Sequence, residues 1–191
     1  MYEQILHNVA RHITLTSAER DYFVSILQHR KFRKRQYMLQ AGRTDRYENF
    51  VIKGLLRAYS VDSRGQEHIV MFAPEDWWIS DLYSVIAETP ATLNIDAMED
   101  TEVLSIEKPD LEELFLKAPK FERLFRILLQ NAFIAQQQRI LNSISQTAEE
   151  RYLQFRTKYA DIEQRVPQHQ IASYLGITPE TLSRIRRQLA E

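Results

Sequence analysis

The chain has 191 residues, 44% of them hydrophobic and 27% charged, which suits an ordinary globular protein of one large domain or two small ones. It contains no cysteine, which excludes disulfides, thiolate zinc sites, cysteine-ligated iron–sulfur clusters and thiol redox sensing by this chain. A net charge of −1 excludes a general nucleic-acid coat, so any DNA contact must rest on a local patch and depend strongly on salt.

No apolar run approaches the ~18 residues that cross a bilayer, and the first twenty residues carry scattered charges instead of a signal-peptide core. A cytoplasmic location without membrane contact is expected. In chain order, helical periodicity predicts helices over 2–12 and 17–30. Ser17 caps the second, whose apolar face is Tyr22, Phe23, Ile26 and Leu27. The basic cluster Arg30-Lys31-Phe32-Arg33-Lys34-Arg35 leads into a strand over 36–40 and reads as a solvated strand edge. Short strands rich in branched and aromatic residues follow at 49–52, 55–61, 67–72, 93–97 and 102–106. Gly42, Gly54 and Gly65 fall between these segments, the turn rhythm of a small antiparallel barrel or jelly roll.

Pro109 opens a short helix with Leu111, Leu114 and Phe115 on its apolar face. Pro119 starts a longer one, reaching about Ser143, whose stripe includes Phe121, Leu124, Phe125, Leu128, Ala132, Ala135 and Leu141. Leu129, Phe133, Ile134 and Ile140 widen that stripe enough to face both a barrel and a second copy of the helix. A capping box at Thr147–Glu150 then opens a helix over 148–159.

The last 24 residues, QHQIASYLGITPETLSRIRRQLAE, read as helix, turn, helix. Ile171, Ala172 and Leu175 face inward, Gly176 makes the turn, Thr178 caps the second helix, and Pro179 is its first residue. Leu182, Ile185 and Leu189 form the apolar stripe, opposite Glu180, Thr181, Ser183, Arg184, Arg186 and Arg187. This is the layout of a DNA-reading helix-turn-helix. A plain helical hairpin with a solvated arginine face is the alternative that these residues alone allow.

Enzyme chemistry finds no support in the sequence. His7, His12, His29, His68 and His169 lack metal-ligand spacing, no serine sits in a Gly-x-Ser-x-Gly elbow, and four glycines supply no phosphate-cradling loop. No metal and no cofactor are expected.

Taken together, IASYLGITPETLSRIRRQL, the helix start Glu149-Glu150-Arg151-Tyr152 and the stretch EDTEVLSIEKPDLEEL resemble the cyclic-AMP receptor protein / FNR family of bacterial transcription regulators. The resemblance covers nearly the whole chain. It implies an α+β fold: a β-roll of cyclic-nucleotide-binding type over 1–117, a dimerisation helix over 118–146, and a helix-turn-helix DNA-binding domain over 147–191. It also implies a homodimer, paired through 121–141, that binds double-stranded DNA.

Residue by residue, the family's Gly-Glu pair for the ribose falls on Ser80-Asp81, and its Arg-Ser pair for the cyclic phosphate falls on Ala91-Thr92. The phosphate-binding guanidinium is therefore missing, and a methyl group does not replace it. The resemblance thus implies a roll that does not hold cyclic AMP in the usual way. The remaining candidate pocket is Trp78, Ser80, Asp81 and Thr92, with Trp77 and Tyr83 nearby and Gln136 and Gln137 from the long helix, open to an unknown small-molecule effector. Trp77 and Trp78 could equally be ordinary packing.

On the DNA side, Glu180 and Arg184 fall where the family reads base edges. A glutamate there accepts from cytosine N4, and an arginine donates twice to guanine. The two could also pair with each other, four residues apart. Pro179 replaces the family's first base-reading arginine, so the target sequence is expected to differ. Gln168, Thr178 and Thr181, with Arg187 in addition, fall at backbone-phosphate positions. A β-hairpin wing would begin at Glu191, so the expected reader lacks the wing's contacts. Arg57 and Arg64 are positions open to RNA polymerase. The rival reading is a ligand-sensing or protein-interaction module without specific DNA binding.

Overall fold

The computed structural model describes residues 1–189. Ala190 and Glu191, the end of the C-terminal motif and the place assigned to a wing, lie outside the described residues. Helix α1 spans Glu3–Ala10 and α2 spans Ser17–Ser25. The cap of α2 is Thr16 and not Ser17: its hydroxyl accepts from the Glu19 N–H at 3.3 Å, while the Glu19 carboxylate accepts from the Thr16 N–H at 2.7 Å. Nor does α2 reach residue 30, because Gln28–Phe32 form strand β1. The partner of β1 lies some seventy residues away, on β8 (Thr101–Glu107), where Glu102 takes both His29 (2.7 Å) and Lys31 (3.3 Å).

The remaining strands are β2 (Tyr37–Leu39), β3 (Tyr47–Lys53), β4 (Leu56–Val61), β5 (Glu67–Ala73), β6 (Trp78–Ile79) and β7 (Asn94–Ala97). They pair antiparallel in two four-stranded sheets, ordered β1-β8-β3-β6 and β2-β7-β4-β5. The expected α+β roll is therefore present. Two short elements escaped the sequence reading: β6, with two residues, and α3 (Leu82–Ala87), with six. Neither is long enough to show a period.

Three apolar clusters organise the chain. Leu39, Val51, Leu56, Ile79, Ile95 and Val103 fill the roll between the sheets. On the outside of the first sheet, Phe50, Leu104 and Ile106 are covered by α1, α2, α4 (Lys108–Lys117) and the start of α5 (Lys120–Ser145), through Val9, Phe23, Leu114 and Phe121. On the outside of the second sheet, Leu55, Tyr59, Ile69 and Phe72 are covered by α6 (Ala148–Lys158), residues 159–167, α7 (Gln168–Leu175) and α8 (Pro179–Gln188). Each of these buried side chains contributes about 1.5–3 kcal/mol. The capping box expected for α6 is formed, with Thr147 Oγ1 accepting from the Glu150 N–H at 3.2 Å and the Thr147 N–H donating back at 2.8 Å. Among the described residues, no helix is long and apolar enough to cross a membrane.

Arg57 is not the exposed position taken from the sequence. It is only 8% exposed; its guanidinium donates to Asp96 at 2.7 and 2.9 Å and to Glu67 at 2.5 Å. It cannot also serve a polymerase. Arg64, on the β4–β5 turn, is exposed.

Glu48 of β3 is buried, with Ser80 Oγ donating to it at 3.0 Å. Burial pushes its carboxyl up to about 7; the Ser80 bond opposes that and nearby Asp45 reinforces it. The folded chain therefore keeps this proton up to neutral pH, while the unfolded chain releases it near the ordinary 4.5. Stability present below that lower value is lost as pH rises through about 7, and a gap of this size corresponds to about 3 kcal/mol. Glu48→Gln should stabilise the protein by up to about 3 kcal/mol at pH 8 and hardly at all at pH 4.5. Urea denaturation at the two pH values measures this, and equal effects at both would contradict it.

Candidate nucleic-acid interface

The turn of the C-terminal motif follows from one residue. Gly176 stands at φ +67°, and its N–H bonds back to the Ser173 carbonyl at 3.1 Å while the Ile177 N–H bonds to the Ala172 carbonyl at 3.0 Å. These two bonds close α7 in a Schellman motif. Thr178 then caps α8 by accepting from the Thr181 N–H at 3.2 Å, and Pro179 takes the first helical position. Leu182 and Ile185 are buried against α6 and α7, which turns Glu180, Ser183, Arg184 and Arg187 outward. Leu189, expected in the buried stripe, is 37% exposed. It rims a cleft of about 560 Å³ with Tyr152, Arg156, Glu163, Gln168 and Arg186.

Among the described residues Glu180 and Arg184 form no ion pair, and both are exposed. The α8 N-terminal amides and the Thr178 hydroxyl hold the Glu180 carboxyl below its ordinary range, so it remains an acceptor at neutral pH. Gln168 opens α7 behind Pro167, where no side chain caps the helix, and it is exposed, as is Thr178; Thr181 is half-buried beside them. The six residues assigned to DNA thus lie on α8, on its cap and at the start of α7.

This motif is held against the roll at three points. Ser173 Oγ donates to the Glu67 carbonyl at 2.8 Å and accepts from the Ile69 N–H at 3.1 Å. Arg139 of α5 lies over the Tyr174 ring at 4.4 Å and donates to the carbonyls of Val70, Ile69 and Tyr174, the last two at 2.9 and 3.0 Å. Arg165 bonds Glu75 at 3.0 and 3.1 Å and Glu99 at 2.5 Å. Of these, Arg139 and Arg165 carried no motif signal, because their partners are up to ninety residues distant.

The candidate effector pocket is not assembled in the same way. Trp78 packs outside the roll, its ring centroid 5.2 Å from Phe50 and 5.5 Å from Phe125, with its indole N–H donating to Asn8 at 3.1 Å. Trp77 stacks on Tyr159. Ser80 is committed to Glu48. Asp81, 2% exposed, accepts from the N–H groups of Ser84 (3.2 Å), Thr92 (3.0 Å) and Leu93 (3.0 Å). It therefore caps α3 and clips the loop before β7 instead of facing an open cavity. Thr92 is exposed, Ala91 is buried within the roll, and Gln136 and Gln137 are exposed on α5 without a hydrogen bond to Asp81 or Thr92.

The cyclic nucleotide-binding domain model matches residues 29–118. The chain is 26% identical over 184 residues to the fumarate and nitrate reduction regulatory protein of Vibrio cholerae, covering 90% of this chain and 73% of that one. Its fold matches FixK2 of Bradyrhizobium japonicum at a TM-score of 0.76 and 21% identity, over 86% of this chain and 85% of that one. The catabolite activator protein of Thermus thermophilus matches at a TM-score of 0.57 and 22% identity, over 92% and 84%. The first of these is named a regulatory protein and the last an activator protein. The roll thus matches the cyclic nucleotide-binding domain, and along most of its length the chain is similar to a regulatory protein.

Proposed function

We propose that the chain is a sequence-specific DNA-binding transcription regulator acting as a homodimer, in which α8 reads base edges through Glu180 and Arg184. The observation that carries this is the division of α8 itself. Leu182 and Ile185 of its apolar face are buried, while Glu180 and Arg184, which form no ion pair among the described residues, stand four residues apart on the open side. Gln168, Thr178, Thr181 and Arg187 flank that pair as backbone-phosphate contacts.

The dimer reading rests on α5. Its 26 residues make a helix ~39 Å long, and beyond Leu128 its apolar residues meet solvent: Phe133 is 70% exposed and Ile144 79%. Leu129, Phe133, Ile140 and Ile144 follow one another at spacings of four, seven and four, a seam suited to a second copy of the same helix. Gln136 falls within that seam. Cyclic AMP is not held in the usual way, because Asp81 already occupies the Thr92 and Leu93 amides and Ala91 supplies no cation. A small-molecule effector would have to be of other chemistry. RNA polymerase is a further partner of this reading.

Selection from random duplexes should yield a preferred sequence with two half-sites, and Arg184→Ala should bind it about 1–3 kcal/mol more weakly with relaxed preference at one position. Equal binding by Arg184→Ala would remove the reading role, and no selected sequence at all would favour the protein-interaction module. Light scattering at micromolar protein should give twice the 22.7 kDa chain mass; a monomer would rule out the two-half-site arrangement. Calorimetry with cyclic AMP should show no saturable heat, and tight binding would overturn the role given to Asp81 and Ala91.

A further inference from the structure

Beyond Leu128 the long helix α5 stands away from the body of the molecule, with one exception. Every residue from 129 to 141 is exposed except Arg139, which is half-buried. Among the described residues it alone in that stretch donates a side-chain hydrogen bond to another element. Its guanidinium has no carboxylate partner among the described residues and is held by backbone carbonyls and one ring.

The seat for this guanidinium is made by an irregular edge strand. The second sheet runs β2-β7-β4-β5, so β5 pairs on one side only and its outer edge presents backbone groups that need partners. Along β4, Ala58 stands opposite Met71 and Tyr59 opposite Ile69, which leaves Val70 as the extra residue of a bulge. In a regular strand consecutive carbonyls point to opposite edges. Here the carbonyls of Ile69 and Val70 both meet Arg139, the first at 2.9 Å. A third carbonyl, at 3.0 Å, belongs to Tyr174 in the last turn of α7, where a cation also suits the negative end of the helix. The Tyr174 ring lies under the guanidinium at 4.4 Å. Helix α7 ends at the Gly176 turn, and α8 follows from Pro179. One side chain therefore fastens together α5, the β5 bulge and the turn that carries α8.

Arg139 also stands beside the seam that α5 offers to a second copy. It precedes Ile140, so the two point about 100° apart around the helix, Ile140 to solvent and Arg139 into its own chain. Without Arg139 the C-terminal helices would still cover the second sheet through the rings around Phe72 and through Arg165. What would loosen is the half of α5 that carries the seam. It would be held only at its ends, by Phe121 and Leu124 in the core and by the junction with α6, where Asn142 donates to Gln154 at 2.7 Å. We propose that Arg139 is a positioning residue for DNA reading: seated in the β5 bulge, it fixes α8 relative to the dimerisation seam of α5 and thereby sets the separation of the two half-sites. This rests on the homodimeric reading proposed for α5 and α8.

The test measures binding to duplexes whose two selected half-sites are moved apart or together one base pair at a time, and to a single half-site. One base pair shifts a half-site by about 3.4 Å and turns it by about 35°. The parent should lose about ten-fold or more in affinity per base pair, because the duplex must deform to compensate. Arg139→Met keeps the apolar stem and removes the donors; it should lose about three-fold or less per base pair, since the protein then yields in place of the duplex. Its half-site sequence, its affinity for a single half-site and its dimeric mass should match the parent's. Arg139→Lys keeps the charge but not the planar fork and should show the same tolerance; should Arg139→Met fail to fold, the lysine variant decides. The parent's steep spacing profile in either variant overturns the proposal. An equal loss on single and paired half-sites also overturns it, because Arg139 would then support the helix-turn-helix alone, and so does a monomeric variant. A parent that selects no sequence, or shows no spacing preference, fails the homodimeric reading itself, an outcome distinct from the failure of Arg139.

Discussion

The outer face of the second sheet is the constraint on which the rest depends. An antiparallel sheet can leave one face to water, but Leu55, Tyr59, Ile69 and Phe72 are apolar there, so this sheet must be covered. The C-terminal helices cover it with rings: Phe72 meets Phe155, Tyr159 and Tyr174 at centroid distances of 6.3, 6.1 and 5.7 Å. Such pairs add roughly 0.5–1.5 kcal/mol each beyond the area they bury. The helix-turn-helix is thus one layer of the core and not a loosely tethered module. Its orientation is set by what lies beneath it, and α8 faces outward as a result.

Charge is distributed along the same lines. Arg57 ties together strands of the second sheet, and Arg139 and Arg165 bind the C-terminal helices to the roll; all three are engaged with carboxylates or carbonyls. Arg184 and Arg187, by contrast, are exposed on the open side of α8 and form no ion pair among the described residues. A near-neutral chain can in this way present strong local fields. Asp81 follows the converse logic. Three backbone N–H groups converge on one buried carboxylate, so these amides are satisfied within the protein itself.

Much of this was legible because it is local. The Thr147–Glu150 capping box, the Gly176 turn, Thr178 before Pro179 and the stripe Leu182–Ile185 all depend on neighbours within four residues. Where the reading slipped, a distant partner decided. Residues 28–32 continue a helical pattern until β8 pairs with them. Trp78 looks like a pocket residue until Phe50, Phe125 and Asn8 enclose it. Arg57 looks exposed until Asp96 and Glu67 claim it.

The sequence by itself determined the order of elements and the helix-turn-helix, since periodicity, caps and turn residues act over a few positions. Only the tertiary structure decided where the charged and aromatic side chains point. It joined Arg165 to Glu99 and Glu75 and turned Asp81 inward. These outcomes depend on which strands and helices become neighbours, and that is set by covering apolar faces across the whole chain rather than by any local pattern.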